Sequence, residues 1–360
     1  MLRKAVLSAA ALAAAALLYL LAWPAPIDPV AVQPPRYRGP QTLGRNDLLR
    51  RATFLGEGQV DAPEDVAFDG EARLYTGSAN GRIVRISLLN RAVETFADTG
   101  GRPLGLRFDP AGNLVVCDVK GLLSIDGQGH VSVLATEAEG VPIRAANNLD
   151  IAKDGTIYFS DSSTRFGIDE HLYDLLEGRP SGRLLRYDPR TKQTSVLLRN
   201  LWFANGVALS AEEDCVLVCE TYRYRIVRYW LQGSQAGTSD VFLSDLPGFP
   251  DNLSRGDWGL YWLALFTVRN PTADWLQPRP FAKKVLSKLP RMFWPKPEPF
   301  GLVLGVATNG NVLRSFQDPG GRVMRQVTTA REWHGGLYLG TLDGDRVGRL
   351  MFPGTPLLTR

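Results

Sequence analysis

Apolar and polar positions along this chain alternate in short runs, and the runs return in the same order. Each round has an apolar alternating strand, a turn rich in Asp and Gly, and a second apolar strand. Asp65-Val66-Ala67-Phe68-Asp69-Gly70 leads to Leu74-Tyr75-Thr76-Gly77, and Gly105-Leu106-Arg107-Phe108-Asp109-Pro110 leads to Leu114-Val115-Val116-Cys117-Asp118. Leu149 to Gly155 leads to Ile157-Tyr158-Phe159-Ser160-Asp161, and Val207-Ala208-Leu209-Ser210 leads to Val216-Leu217-Val218-Cys219-Glu220. Leu260-Tyr261-Trp262-Leu263 and Gly336-Leu337-Tyr338-Leu339-Gly340 are second strands of two more rounds. Third strands follow at Gly81–Ile86, Gly182–Tyr187 and Tyr224–Tyr229. Alternation with period two is the strand signal. Six rounds of roughly 40 to 50 residues with several short strands each predict an all-β, six-bladed β-propeller, here over residues 51–355. Two segments break the period, 166–181 and 270–299. The first is expected to cover part of one face. The second holds Phe281–Pro290, a basic amphipathic helix candidate, and then Met292-Phe293-Trp294. It reads either as a lid or membrane-touching element or as a surface helix on the rim.

Aligning the apolar positions Val66, Leu149, Val207 and Leu253 puts Glu64, Asn147, Asn205 and Asp251 in one column. In a propeller, equivalent positions at the start of each inner strand converge at one end of the central channel. Two carboxylates and two amides at one level form an oxygen-donor set suited to a hard cation such as calcium. The alternative is that these residues satisfy backbone groups in turns, as Asn and Asp often do. Leu104 holds the same position in the second round, and His130, His171 and His334 all lie outside the column. Trp202, Phe249 and Phe266 are candidates to line an apolar pocket, with core packing as the other reading.

The N-terminus is of another kind. Met1-Leu2-Arg3-Lys4 is followed by an uncharged stretch from Ala5 to Trp23. Nineteen helical residues span roughly 28 Å, near the hydrocarbon thickness of a bilayer. Residues 1–23 are therefore expected to form a transmembrane anchor, with a cleaved signal peptide as the competing reading. Arg3 and Lys4 would stay cytoplasmic, leaving the propeller on the periplasmic or extracytoplasmic side. Residues 24–50, rich in Pro and Arg, read as an extended tether. The 360 residues carry a net charge of only +4, and no basic stripe with interleaved aromatics argues for nucleic acid. Cys215 and Cys219 on one strand would stand roughly 13 Å apart, too far to bridge, so these and Cys117 are expected as buried free thiols.

Several motifs together carry a family resemblance. They are Ala145–Asp150 with Asp154–Asp161, Leu176–Leu185, Phe203–Val207, Leu246–Asn252 and Glu332–Gly340. With them the chain resembles the six-bladed propeller superfamily of gluconolactonases, paraoxonases and strictosidine synthases, and within it the membrane-anchored, strictosidine-synthase-like group. The resemblance implies a catalytic calcium held by Glu64, Asn147, Asn205 and Asp251, with Asn252 beside them. It also marks departures. Leu104 stands where paraoxonases carry a proton-transferring histidine. Asp65 matches a second-calcium ligand, but Asn148 replaces its partner. Val327-Thr328-Thr329 occupies the place of the glutamate that strictosidine synthases use for condensation, so a lyase or condensing activity is disfavoured. The leading expectation is calcium-dependent hydrolysis of a lactone or aryl ester, with Asp251 orienting or deprotonating water and Glu64 holding the metal. The rival is an anchored, non-catalytic binding propeller whose calcium is structural.

Overall fold

In the computed structural model, residues 2–37, 39, 44–257 and 259–353 are described. Six four-stranded antiparallel sheets stand around one axis. Their inner strands are Val66–Phe68, Pro103–Phe108, Ala146–Ile151, Ala204–Leu209, Gly248–Arg255 and Val327–Trp333, which define blades 1 to 6 in chain order. Thr53–Leu55 is the outermost strand of blade 6, where Phe54 pairs with Gly348. The two ends of the repeat thus share one sheet and close the ring. Closure covers the sheet faces that an open array of blades would leave exposed at its two ends.

The second strand of each blade is pressed between neighbouring sheets. Leu114–Asp118, Ile157–Asp161 and Cys215–Glu220 are buried at every position. That is why these segments read as continuous apolar runs rather than as alternating ones. Cys117, Cys215 and Cys219 are buried free thiols, as expected.

In blades 2 to 5 the inner strand carries a bulge at one common level. Three residues advance against two on the partner between Pro103 and Leu106, Ala146 and Leu149, Ala204 and Val207, and Pro250 and Leu253. Each bulge holds a column residue and its successor. A bulge re-aims side chains that would otherwise alternate. Here it separates two roles. The first residue belongs to the channel column; in blade 3 the second, Asn148, reaches sideways to its neighbours, whereas in blades 2 and 4 it is a glycine.

The sideways contacts form a ring. Asp65 is wholly buried. Its Oδ1 accepts from Thr329 Oγ1 in blade 6 at 2.9 Å, and its Oδ2 accepts from Arg107 Nη1 in blade 2 at 2.7 Å and Asn148 Nδ2 in blade 3 at 3.2 Å. Asn148 Oδ1 accepts from the Val207 amide of blade 4 at 3.0 Å. Thr221 Oγ1 donates to Pro250 O at 2.8 Å, and Ser254 Oγ donates to Ala330 O at 2.6 Å. These link blades 4 to 5 and 5 to 6.

The two insertions form a cap. His171–Glu177 is helix α2, once the N-terminal helix Leu2–Ala22 is named α1; Pro271–Leu276 is α3 and Pro280–Leu286 is α4. Ile27, Phe166, Leu176 and Trp294 make a satellite core that joins them to the N-terminal segment. Residues 27–35 of the expected tether are therefore held down rather than free. Val30 N donates to Glu177 O at 3.0 Å, Val32 N to Gln277 O at 3.0 Å, and the buried Lys283 Nζ to Val30 O at 2.6 Å. The uncharged N-terminal run is helical as expected, but nine of the 21 residues of α1 are alanine. Alanine favours helix and is only weakly apolar. No helix among the described residues is long and apolar enough to cross a membrane.

Asp65→Ala is expected to lower stability by about 3–5 kcal/mol, because it strands the buried Arg107 guanidinium. Urea unfolding followed by circular dichroism measures this, and a loss below about 1 kcal/mol would show that the ring holds without Asp65.

Candidate metal centre

The column converges. Glu64, Asn147, Asn205 and Asp251 expose only 4, 2, 4 and 7% of their surface. At that burial an unpaired polar atom is costly, typically about 1–3 kcal/mol each. Yet Asn147 Oδ1, Asn205 Oδ1 and Asp251 Oδ1 make no hydrogen bond, and neither polar atom of Asn252 makes one. Three buried oxygens without donors, contributed by three successive blades, are what a cation-binding set looks like when its backbone is built and its charge is not balanced. Turn satisfaction, the other reading of these residues, would leave them partnered. They fit a hard cation in type and number.

Their positions follow from local sequence. Gly206, directly after Asn205, lies so close to blade 5 that a Cβ there would stand 2.5 Å from Asp251 O and Leu253 N. Only glycine lets blades 4 and 5 approach until Asn205 and Asp251 are neighbours. Asn205 Nδ2 donates to Thr221 Oγ1 at 3.2 Å, which leaves its oxygen free. In blade 1, Thr328 Oγ1 and the Thr341 amide hold the backbone at Glu64 and Pro63. Asn252 occupies the sideways position and is buried beside the set.

The electrostatics agree. Burial raises the Glu64 carboxyl to about 7, with Arg102 opposing and Asp65 adding to the shift. Arg102 Nη2 is 3.9 Å from Glu64 Oε2. Asp251 is pushed well above the ordinary carboxylate range, first by burial and then by Glu64. Two buried carboxyls, each raised by burial and by a neighbouring acid, are short of positive charge.

The departures in sequence have structural counterparts. Leu104 is a buried core side chain. His130 is an exposed partner of Asp126 at 3.0 Å, His171 Nδ1 is bonded to Ile168 O at 2.9 Å, and His334 is exposed against Trp333. Both oxygens of Asp65 are already taken and the charge is matched by Arg107, which leaves no room for a second cation there. Thr328 and Thr329 are likewise engaged in blade contacts. Phe249 lies in the core, with Phe266 packed against it. Trp202 instead lines a groove of about 670 Å³ with Val32, Arg165, Gly178 and Arg223, to which no column residue contributes. No three His, Cys, Asp or Glu side chains cluster as metal ligands among the described residues, so this set depends on its amides.

Three neighbours of the centre carried no repeat signal. Arg102 lies two residues before Leu104. Asp174 and Tyr222 meet through the cap. Tyr222 donates to His171 O at 2.8 Å and stacks on Phe203 at 4.7 Å. Burial, Asp174 and Asp251 all raise its phenol. Burial, with a smaller contribution from Glu177, raises Asp174 to about 7. The only sequence hint was a pair of carboxylates three apart inside an insertion expected to cover a face.

Comparison with known proteins places this architecture. Residues 147–234 match the model of the family described as strictosidine synthase, and residues 43–86 match strictosidine synthase-like, N-terminal. The chain is 40% identical over 356 residues to the adipocyte plasma membrane-associated protein of Bos taurus, covering 90% of this chain and 84% of the relative. It belongs to the strictosidine synthase-like family. Another member, strictosidine synthase-like protein 6 of Arabidopsis thaliana, is 35% identical over 314 residues, covering 84% of this chain and 82% of that one. Among solved structures, a gluconolactonase from Xanthomonas campestris is similar with a TM-score of 0.62 at 18% identity, over 92% of this chain and 99% of that one. Regucalcin, a calcium-binding protein from Agrobacterium tumefaciens, is similar with a TM-score of 0.58 at 13% identity, over 85% and 95%. At such identities the likeness to the solved structures is one of fold. It places this strictosidine synthase-like chain among the six-bladed propellers.

The raised carboxyls fix the sign of a pH effect. In the metal-free protein Glu64 keeps its proton up to about pH 7, whereas in the unfolded chain it releases it near 4.3. Stability is therefore fully present below about pH 4.3 and is lost as pH rises through 7. Asp251 and Asp174 act in the same direction. Thermal unfolding in a chelator should give a falling Tm between pH 5 and 8, roughly. Calcium should raise Tm most at the upper end, and Glu64→Gln should flatten the chelator curve.

Proposed function

We propose that this chain is a calcium-dependent hydrolase of lactones or aryl esters, with its reaction centre at the column end of the channel. The observation that carries the reading is the set of unpartnered buried oxygens of Asn147, Asn205 and Asp251 beside the raised carboxyl of Glu64. Glu64, Asn147, Asn205 and Asp251 would hold the ion, with Asn252 next to them. A bound calcium supplies Lewis acidity toward a substrate carbonyl oxygen. The protein supplies the rest. Asp251, besides holding the ion, orients water and takes its proton as the water oxygen bonds to the carbonyl carbon. The proton then passes to the departing oxygen as the ester C–O bond breaks. Glu64 chiefly holds charge, its position fixed by the backbone bonds at Pro63 and Glu64. Solved propellers of similar fold include a gluconolactonase and the calcium-binding regucalcin, and both are consistent with this reading.

A second reading has an observation of its own. Leu104 fills the blade 2 position with a hydrocarbon, and Arg102 lies by Glu64. This favours a binding propeller whose calcium serves structure. Condensation of the strictosidine synthase kind is not proposed, since Thr328 and Thr329 stitch blades at the place where it would need an acid.

We also propose that α1 holds the propeller at a membrane, with Arg3 and Lys4 cytoplasmic and the propeller on the extracytoplasmic side. The charge pattern of residues 3–23 supports this, as does the plasma membrane association named for the Bos taurus relative.

The test uses full-length protein in detergent, because residues 27–32 are part of the folded cap. Hydrolysis of lactones and aryl esters is measured with calcium, with chelator, and in Glu64→Gln and Asp251→Asn. Under the hydrolase reading chelator and both substitutions each reduce the rate by about 100-fold or more. Full activity in Asp251→Asn removes Asp251 as the base. No turnover, with calcium still raising Tm, selects the binding propeller.

A further inference from the structure

The apolar side chains left outside the propeller are not scattered. Among the described residues the exposed aromatic side chains are Tyr19, Trp23, Tyr37, Trp275, Phe281 and Phe293, with exposed Met292 beside them. None belongs to a blade. All lie in the N-terminal segment or in the insertion between the second and third strands of blade 5. Phe281 and Phe293, 67% and 61% exposed, face the same apolar groove, with Val285 and Leu289 in its floor. Single exposed apolar residues need no explanation, but a cluster of large ones marks a binding surface.

Charge identifies what the surface meets. From Trp275 to Pro297 there is no acidic residue, and there are six basic ones. Lys283 is buried and spent on Val30 O. Arg279 and Arg291 are exposed and bond to carbonyls, Lys288 Nζ donates to Leu20 O at 2.7 Å, and Lys284 is exposed. Trp and Phe at an interface with Lys and Arg around them suit the boundary between acyl chains and anionic headgroups. A protein partner would more often present a patch free of such uniform charge. Position agrees as well. The Lys288–Leu20 bond seats the end of α1 on the same insertion, so the hydrophobic helix and the aromatic patch lie together.

We infer that the α3–α4 insertion docks the propeller on an anionic lipid bilayer. Trp275, Phe281, Met292 and Phe293 enter the headgroup boundary, and Arg279, Lys284, Lys288 and Arg291 contact lipid phosphates. The inference rests on the membrane anchoring proposed for α1 but not on hydrolysis.

The experiment places an environment-sensitive dye at Met292→Cys in the full-length chain, with Val133→Cys on the outer strand of blade 2 as control. The three native thiols are buried and should not compete. Protein is reconstituted into vesicles of phosphatidylcholine, alone or mixed with phosphatidylglycerol, and floated. Docking predicts that the dye at 292 is quenched by doxyl-lipid and shielded severalfold from aqueous iodide, more so with phosphatidylglycerol. The dye at 133 should stay iodide-accessible. Lys284→Glu with Lys288→Glu should erase the dependence on phosphatidylglycerol. Flotation with the 292 dye as open to iodide as the 133 dye overturns docking and leaves anchoring intact. Failure to float overturns both. Shielding from iodide without doxyl quenching means a protein contact, and it too overturns the inference.

Discussion

One buried carboxylate organises the propeller. Asp65 receives donors from blades 2, 3 and 6 and from the backbone of its own strand. Blade packing alone is a contact between apolar surfaces, which can slide. Directional bonds from three sheets to two oxygens fix where the sheets stand. A buried charge is tolerable only when it is paired and hydrogen-bonded, and Asp65 meets both conditions through Arg107. Residue by residue, the column inherits its register from this contact, because Glu64 immediately precedes Asp65 and Asn147 immediately precedes Asn148.

The same arrangement explains why neighbouring acids behave differently. Asp65 and Glu64 are adjacent in sequence and both buried. Asp65 has a guanidinium at 2.7 Å, whereas the nearest cation to Glu64 is at 3.9 Å. Asp65 is thereby committed to structure. Glu64 and Asp251 keep an unmet demand for positive charge, which a divalent ion would answer. In blade 3 the inner-strand bulge allows the same division between Asn147 and Asn148, since without the extra residue successive side chains would simply point to opposite faces of the blade.

The repeat, the six blades and the column were legible in the sequence because strand alternation and equivalent positions are properties of the chain itself. The converging set could be written down by aligning Val66, Leu149, Val207 and Leu253. What aligned less well was anything that depends on the cap. Asp174 has no counterpart in other blades, and Tyr222 gains its place only because α2 lies over it. The segment 24–50 read as a tether because Pro and Arg suit an extended solvated chain. The structure holds it by backbone bonds to Glu177 and Gln277, residues about 145 and 245 positions away, and no local pattern announces such partners. The alanine-rich helix α1 marks another boundary. Absence of charge predicted helix correctly, while membrane crossing depends on hydrophobicity that alanine only weakly supplies.

The cap connects regions that the sequence kept apart. Ile27 and Trp294 pack with Leu176 of α2. From α2 the path runs through His171 O to the Tyr222 hydroxyl, and Thr221, the residue before it, bonds both Asn205 and Pro250 O. Every step is a packed side chain or a hydrogen bond, so the segment that follows α1 is mechanically continuous with the metal-type set. Lys283 shows how firmly the junction is made. Its ammonium is fully enclosed, burial lowers its pKa to about 8, and its bond to Val30 O is the contact that offsets the loss of water. An enclosed lysine spent on the backbone of a leader segment makes little sense for a loose tether. It is what a fold requires when residues 27–35 are bonded into its own cap.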